Sequence, residues 1–274
     1  MTFWQSVLAF LDSSMETPPA FGWFHILSLA LTFLVLIPLL RFSKRQDDAH
    51  IRRVVLFTAL TVIALEIYKQ INYSFSYEDG VVFDYPWYAF PFQFCSTPMY
   101  IGLLAGLTKK GKIHESLCAY LATYSLFAGL AVMIYPNDVF IETIGINIQT
   151  MICHGSMITI AIYLFATGYV KLQHKTILKA MPVFAVTVGI AAVMNEIAYQ
   201  VGLLETDTFN MFYISPHCDP HLVIYADVQR VVPFPWSLVI YILGFTAAAY
   251  LVLLIAMGIG ALVKKFRKTT VAVG

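Results

Sequence analysis

Seven apolar stretches, separated by short polar or basic turns, constrain this chain more than any other feature. They fall at about 21–40, 54–73, 92–107, 117–135, 148–170, 180–201 and 235–263. About 20 apolar residues suffice to cross the hydrocarbon core of a bilayer as a helix. In lipid the backbone has no partner but itself, so the helix is the form such a stretch must take. Of the 274 residues, 59% are hydrophobic and 12% charged, against about 25% charged in a soluble domain. The sequence thus predicts an all-α polytopic membrane protein with seven transmembrane helices, of which 92–107 is short. Residues 21–263 form the transmembrane domain and 264–274 a basic tail. Residues 1–20 read as an interfacial amphipathic lead, since Phe3, Trp4, Val7, Leu8 and Leu11 recur near helical spacing. Asp12 and Glu16 stand where a signal peptide would carry positive charge, so no cleavable signal is expected.

Basic residues orient the bundle. All but two of the 17 Lys and Arg lie in the 41–53 loop, the 108–114 loop, the turn from Lys171 to Lys179 and the tail from Lys264. Lys69 lies within a span, and Arg230 stands alone on the opposite side. Cytoplasmic loops carry the Lys and Arg excess, so the N-terminus is expected outside and the C-terminus in the cytoplasm.

That orientation gathers polar residues at one depth. Cys95, His154 and His25 open three spans running inward, Glu66 and Lys69 close the second, and Asn195-Glu196 lie near the outer end of the sixth. At 1.5 Å per residue all sit within roughly 10 Å of the outer boundary. Intramembrane charge is costly and faces a cavity or a partner, so one shared site is expected. Cys95 stands in Pro91-Phe92-Gln93-Phe94-Cys95-Ser96 at a helix start, where the dipole field favours thiolate. A nucleophile and a small buried hydrophobe are both open readings of it. Glu66 and Lys69, three residues apart, can neutralise each other. His25 can be solvated by headgroups, and Asn195 can bond between helices. His154 has small neighbours, Gly155 and Ser156, that permit close approach.

The outer loop adds His217-Cys218-Asp219-Pro220-His221, residue types that ligate zinc. The fourth ligand is missing in sequence and Pro220 restricts the geometry, so no metal is expected. The cysteines at 95, 118, 153 and 218 form no CxxC pair, and a disulfide framework is not expected. No GxSxG, HExxH, phosphate loop or basic nucleic-acid patch is present. No cofactor and no nucleic-acid partner is expected.

The ordered set of motifs resembles the YwaF-like bacterial integral membrane proteins and their eukaryotic relatives, the transmembrane protein 164 acyltransferases. It runs from Phe21-Gly22-Trp23-Phe24-His25 through Pro91–Ser96, Tyr135-Pro136-Asn137-Asp138 and Cys153-His154-Gly155. It ends with Asn210-Met211-Phe212-Tyr213 and Pro233-Phe234-Pro235-Trp236. Together these cover about residues 21–245. Cys153 replaces the family's Ser, Phe234 replaces a Trp, and 217–221 is inserted. The resemblance implies acyl transfer between phospholipids in a bacterial cell membrane, with the cysteine and histidine roles on Cys95 and His154; a lysophospholipid acceptor would make the protein a transacylase, and water a lipase.

The residues fit such chemistry. Acyl transfer needs a nucleophile, a base and oxyanion donors. Cys95 would attack, His154 would move the proton, and Gln93 or Asn195 would hold the oxyanion, with Glu66 or His25 orienting His154. Two rival readings are a small-solute transporter or channel, and a metal-dependent lipid hydrolase built on His217, Asp219, His221 and His154 or His25.

Overall fold

A computed structural model describes residues 2–42, 47–205, 208–219 and 222–273. The described chain is a helical bundle: α1 Phe3–Leu11, α2 Trp23–Phe42, α3 Asp48–Ser74, α4 Thr97–Leu107, α5 Lys112–Ala122, α6 Tyr124–Ile134, α7 Ile144–Ala166, α8 Lys175–Gln200, α9 Val223–Val231 and α10 Trp236–Val273. One two-stranded hairpin, β1 Phe75–Ser76 and β2 Val82–Phe83, follows α3.

Among the described residues six helices are long and apolar enough to cross a membrane, with α5 and α6 counting as one span broken at Thr123. The 92–107 stretch behaves differently. Only Thr97–Leu107 is helical, about 16 Å at 1.5 Å per residue, and 91–96 enters the bundle as turns. Irregular backbone at that depth survives only where protein covers it. The segment 202–234, between the sixth and seventh apolar stretches, contains α9, whose Ile224, Val228 and Val231 recur at helical spacing. Residues 220–221, with His221, lie outside the described residues, as do residues 43–46 of the basic 41–53 loop.

The bundle has a protected centre and a lipid-exposed jacket. In the α5–α6 span and in α7, 72% and 67% of the apolar window is buried, against 17% in α2 and in α10. α2 accordingly exposes Leu27, Leu31, Leu34 and Ile37, while α5 to α7 bury His114, Thr123, Ser125, Gln149 and His154. Polar side chains survive in a span where helices, not lipid, surround them. α2 and α3 both pack on α7, α4 packs on α3 and α5, α8 on α5, and α10 on α8 and α6.

Close approach of α3 and α4 rests on small residues at i and i+4. A Cβ on Gly102 would meet Ala59 at 3.1 Å, and one on Gly106 would meet the Leu56 Cβ at 2.6 Å and Cα at 2.9 Å. Such spacing lets two backbones touch in a membrane. Gly106→Ala should therefore destabilise the fold by about 1–3 kcal/mol, the usual effect of overpacking, and Gly102→Ala by less. Thermal unfolding in detergent measures both; equal effects would argue against the α3–α4 contact.

α1 is anchored at the end where α3 finishes. A capping box between Thr2 and Gln5 starts it. Asp12 accepts from Tyr77 at 2.9 Å and from Thr143 at 3.2 Å, while the Tyr68 hydroxyl donates to the Leu11 carbonyl at 2.7 Å. Met15 N–H then bonds Glu142 O at 2.7 Å. Phe3, Trp4 and Phe10 stay exposed. At the lysine-rich end, His114 Nδ1 meets the Ala105 carbonyl at 3.0 Å and Nε2 lies 2.6 Å from the Tyr169 hydroxyl. That hydroxyl donates to Asp48, which pairs with Arg52 at 2.9 Å.

Candidate functional site

Cys95 is not in the first helical turn, where the sequence places it. It stands one residue before the α4 N-cap, Ser96, in a turn closed by Ser96 N–H and Thr97 N–H on the Gln93 carbonyl at 2.9 and 3.1 Å. Pro98 in the first turn of α4 sets where the helix can begin, since it needs no N–H there. The partly positive end of α4 is one residue away from Cys95.

The turn is pinned from two sides. The Tyr100 hydroxyl donates to Pro91 O at 3.0 Å, and Thr97 Oγ1 bridges Phe94 O and the Tyr120 hydroxyl at 3.0 and 2.8 Å. Gln93 reaches across to the 210–212 backbone: its Nε2 donates to Asn210 O at 3.0 Å, and its Oε1 accepts from Phe212 N at 2.8 Å. Asn195 grips the same segment, donating to Met211 O at 3.0 Å and accepting from Met211 N at 2.7 Å. Phe212 and Tyr213 there have φ of 58° and 55°, conformations that non-glycine residues hold only when their surroundings impose them. The amides expected to hold an oxyanion are thus engaged on backbone; both are positioning residues for the loop beside Cys95.

α7 brings the histidine. The Cys153 thiol donates to the Cys95 carbonyl at 4.0 Å, which sets α7 against the cysteine turn, and the two cysteines share a cluster with Val62, Met99, Ala128 and Met157. His154 is 4% exposed. Its Nδ1 lies 2.7 Å from the Thr150 carbonyl. A carbonyl only accepts, so Nδ1 carries the proton and Nε2 of the neutral ring keeps a bare lone pair. Among the described residues Nε2 is buried without a hydrogen-bond partner.

The third part of the site is charged. Glu66, 5% exposed, pairs with Lys69 at 2.7 Å and accepts from Gln70 at 2.8 Å and Gln149 at 3.1 Å. Gln70 in turn donates to Ala89 O at 3.0 Å and accepts from the Tyr85 hydroxyl at 2.6 Å. Burial and then the Glu66 charge push the Tyr85 phenol up to about 12, so it stays a donor at any working pH. Gln149 and Cys153, one turn apart on α7, bond Glu66 and the Cys95 carbonyl, so the ion pair, the cysteine turn and the stretch of α7 that carries His154 adjoin inside the bundle.

Two expected members lie elsewhere. His25 Nδ1 accepts from Phe21 N at 2.9 Å and its Nε2 donates to Met133 O at 3.1 Å. Both ring nitrogens are spent tying the start of α2 to the end of α6, so His25 cannot orient His154. Nor does Glu66; the Thr150 carbonyl does. Glu196 points outward, its side chain 50% exposed, bonded to Gln200 at 2.7 Å and His217 at 3.0 Å. Adjacent helical residues diverge by about 100°, so Asn195 facing inward turns Glu196 out. The His217 ring stacks on Tyr199 at 3.6 Å, and Cys218 donates to Phe209 O at 3.6 Å. Gln149, Thr150 and Tyr85 were not singled out in the sequence. Gln149 had a signal, since it lies four residues before Cys153, on the same face of α7.

The TMEM164 family profile matches residues 20–258. The chain belongs to the TMEM164 family. Residues 20–258 of this TMEM164 family member hold Cys95, His154, Glu66 and the loop that Gln93 and Asn195 clamp, leaving outside it only α1 with its following turn and the end of α10. No curated protein and no solved structure matches the chain.

Proposed function

We propose that this protein exchanges fatty acyl chains between phospholipids, with Cys95 as nucleophile and His154 as base, at the depth of the outer-leaflet ester bonds of a bacterial cell membrane. The observation that carries this reading is the His154 Nε2: a buried nitrogen with a bare lone pair and no partner among the described residues, on a ring whose other nitrogen is fixed. A buried polar group left unpaired needs a reason, and a general base awaiting a proton is one.

The steps balance. Nε2 takes the Cys95 thiol proton, the thiolate adds to an ester carbonyl, and the ester C–O bond breaks. Nε2 returns the proton to the departing lysophospholipid oxygen, leaving a Cys95 thioester. An acceptor lysophospholipid then gives its hydroxyl proton to Nε2 and attacks the thioester; the C–S bond breaks, and Nε2 returns the proton to the Cys95 sulfur. Glu66 and Lys69 set the field around both reacting groups, and Gln93 and Asn195 hold the loop. Comparing the lipidome of membranes with the wild type, with Cys95→Ala and without the protein tests this. A shift in acyl composition that needs Cys95 is expected; an unchanged lipidome would favour the transporter.

The same reading places seven segments in the bilayer with the N-terminus outside. Cysteines introduced at Glu78 and Glu142 should label with impermeant thiol reagent from outside, and one at Gly111 from inside. Reversed labelling would move the reaction to the inner leaflet.

A further inference from the structure

A groove of about 390 Å³ runs between α6, α9 and α10. Its back wall is Phe127, Tyr241 and Phe245, and its mouth carries Ile224, 83% exposed, and Ile240, 40% exposed. Tyr241 turns its hydroxyl away to the Phe212 carbonyl at 3.0 Å. The groove follows α10 from Ile240 to Ala248, about 12 Å along the axis at 1.5 Å per residue. Gly244 lies at its middle, and a Cβ built there meets nothing within 4 Å.

Two observations say what fills it. The mouth opens from an apolar span, where the surrounding medium is hydrocarbon and not water. The back wall is also shared with the site: Phe94, the residue before Cys95, packs edge-on to Phe245 at 5.2 Å and on Phe127 at 6.2 Å. The Phe212 carbonyl that Tyr241 bonds belongs to the segment Gln93 holds. The small cavity beside Cys153, about 30 Å³, has room for about one water molecule and cannot take a chain. We propose that the α6–α9–α10 groove binds one fatty acyl chain of the phospholipid, in line with α10, and that Gly244 keeps it open. This rests on the acyl-exchange reading for its purpose, but not for its test.

The full chain in nanodiscs would be given a phosphatidylethanolamine with a diazirine on its acyl chain, irradiated, and mapped by peptide. The label is expected on peptides holding Tyr225 and Tyr241 in excess over the lipid-facing Leu31 and Leu34 of α2. Gly244→Phe fills the groove and loses that excess, and so does Ala248→Phe, a second variant should the first fold poorly. Gly189→Phe, at another glycine open to lipid, keeps it. Cys95→Ala keeps it too, because binding precedes chemistry. In the exchange assay Gly244→Phe shifts acyl selection toward shorter chains. Equal labelling of α2 and the groove, or labelling indifferent to both filled variants, overturns the groove. Groove labelling in a protein with no exchange activity would sink the enzyme reading alone.

Discussion

Cys95→Ala membranes should lose acyl exchange by roughly a thousandfold or more, the order seen when a covalent nucleophile is removed. His154→Ala should lose about 10²–10⁴-fold, the usual worth of a positioned base. The two losses should not add, since both groups serve one proton transfer. A distinctive product is expected in His154→Ala. The α4 N-terminus, one residue away, favours the Cys95 thiolate without His154, so some acylation continues while the acceptor hydroxyl goes unactivated. Incubated with phospholipid, that variant should build up hydroxylamine-sensitive acyl mass on the Cys95 peptide. Cys95→Ser should carry no thioester. Cys118 lies 3.5 Å from His114 in the lysine-rich network, and Cys218 bonds the outer loop; Cys118→Ala and Cys218→Ala should exchange like wild type. Cys153→Ser should also remain active, because a hydroxyl can donate to the Cys95 carbonyl as the thiol does. Wild-type exchange in Cys95→Ala would end the thioester route.

The sequence reads well where one residue type decides the outcome. Runs of about 20 apolar residues have to become helices in lipid, so most of the bundle is legible, with ends within about six residues except the last, where α10 runs on to Val273. Depth is legible in part: counting inward from the loops sets Glu66 level with Gln149 of α7 and Cys95 level with Cys153, and those pairs do meet. Direction is not. Whether His25 turns to the site or to Met133 depends on which helix α2 meets, and nothing within α2 records that. Cys95 sits outside α4 because Gln93 is drawn to the 210–212 backbone, a partner more than a hundred residues away. Asn195 and Gln93 read as donors for an oxyanion because both carry amides at the right depth. The backbone they satisfy becomes visible only when Phe212 and Tyr213 are seen with positive φ.

Glu66→Ala should be among the most destabilising single substitutions, lowering stability by about 3–5 kcal/mol. The carboxylate is only 7% exposed at the side chain and Lys69 17%, so its removal strands a largely buried ammonium, leaves the Gln149 amide without its acceptor, and leaves the Gln70 amide with Ala89 O alone. Lys69→Met should be milder, because the Glu66 carboxylate it leaves behind still receives both amides. The double variant Glu66→Ala with Lys69→Met should recover part of the loss, since a buried pair replaced whole is far less harmful than one cut in half. Thermal unfolding of all four proteins in one detergent gives the coupling directly. Simple additivity would mean that the pair is solvated in the folded state and serves only the field at Cys95. A coupling of about 1–3 kcal/mol, with acyl exchange lost in the double variant despite its recovered fold, would separate the two duties of Glu66: it holds α3 against α7, and it tunes the groups that react.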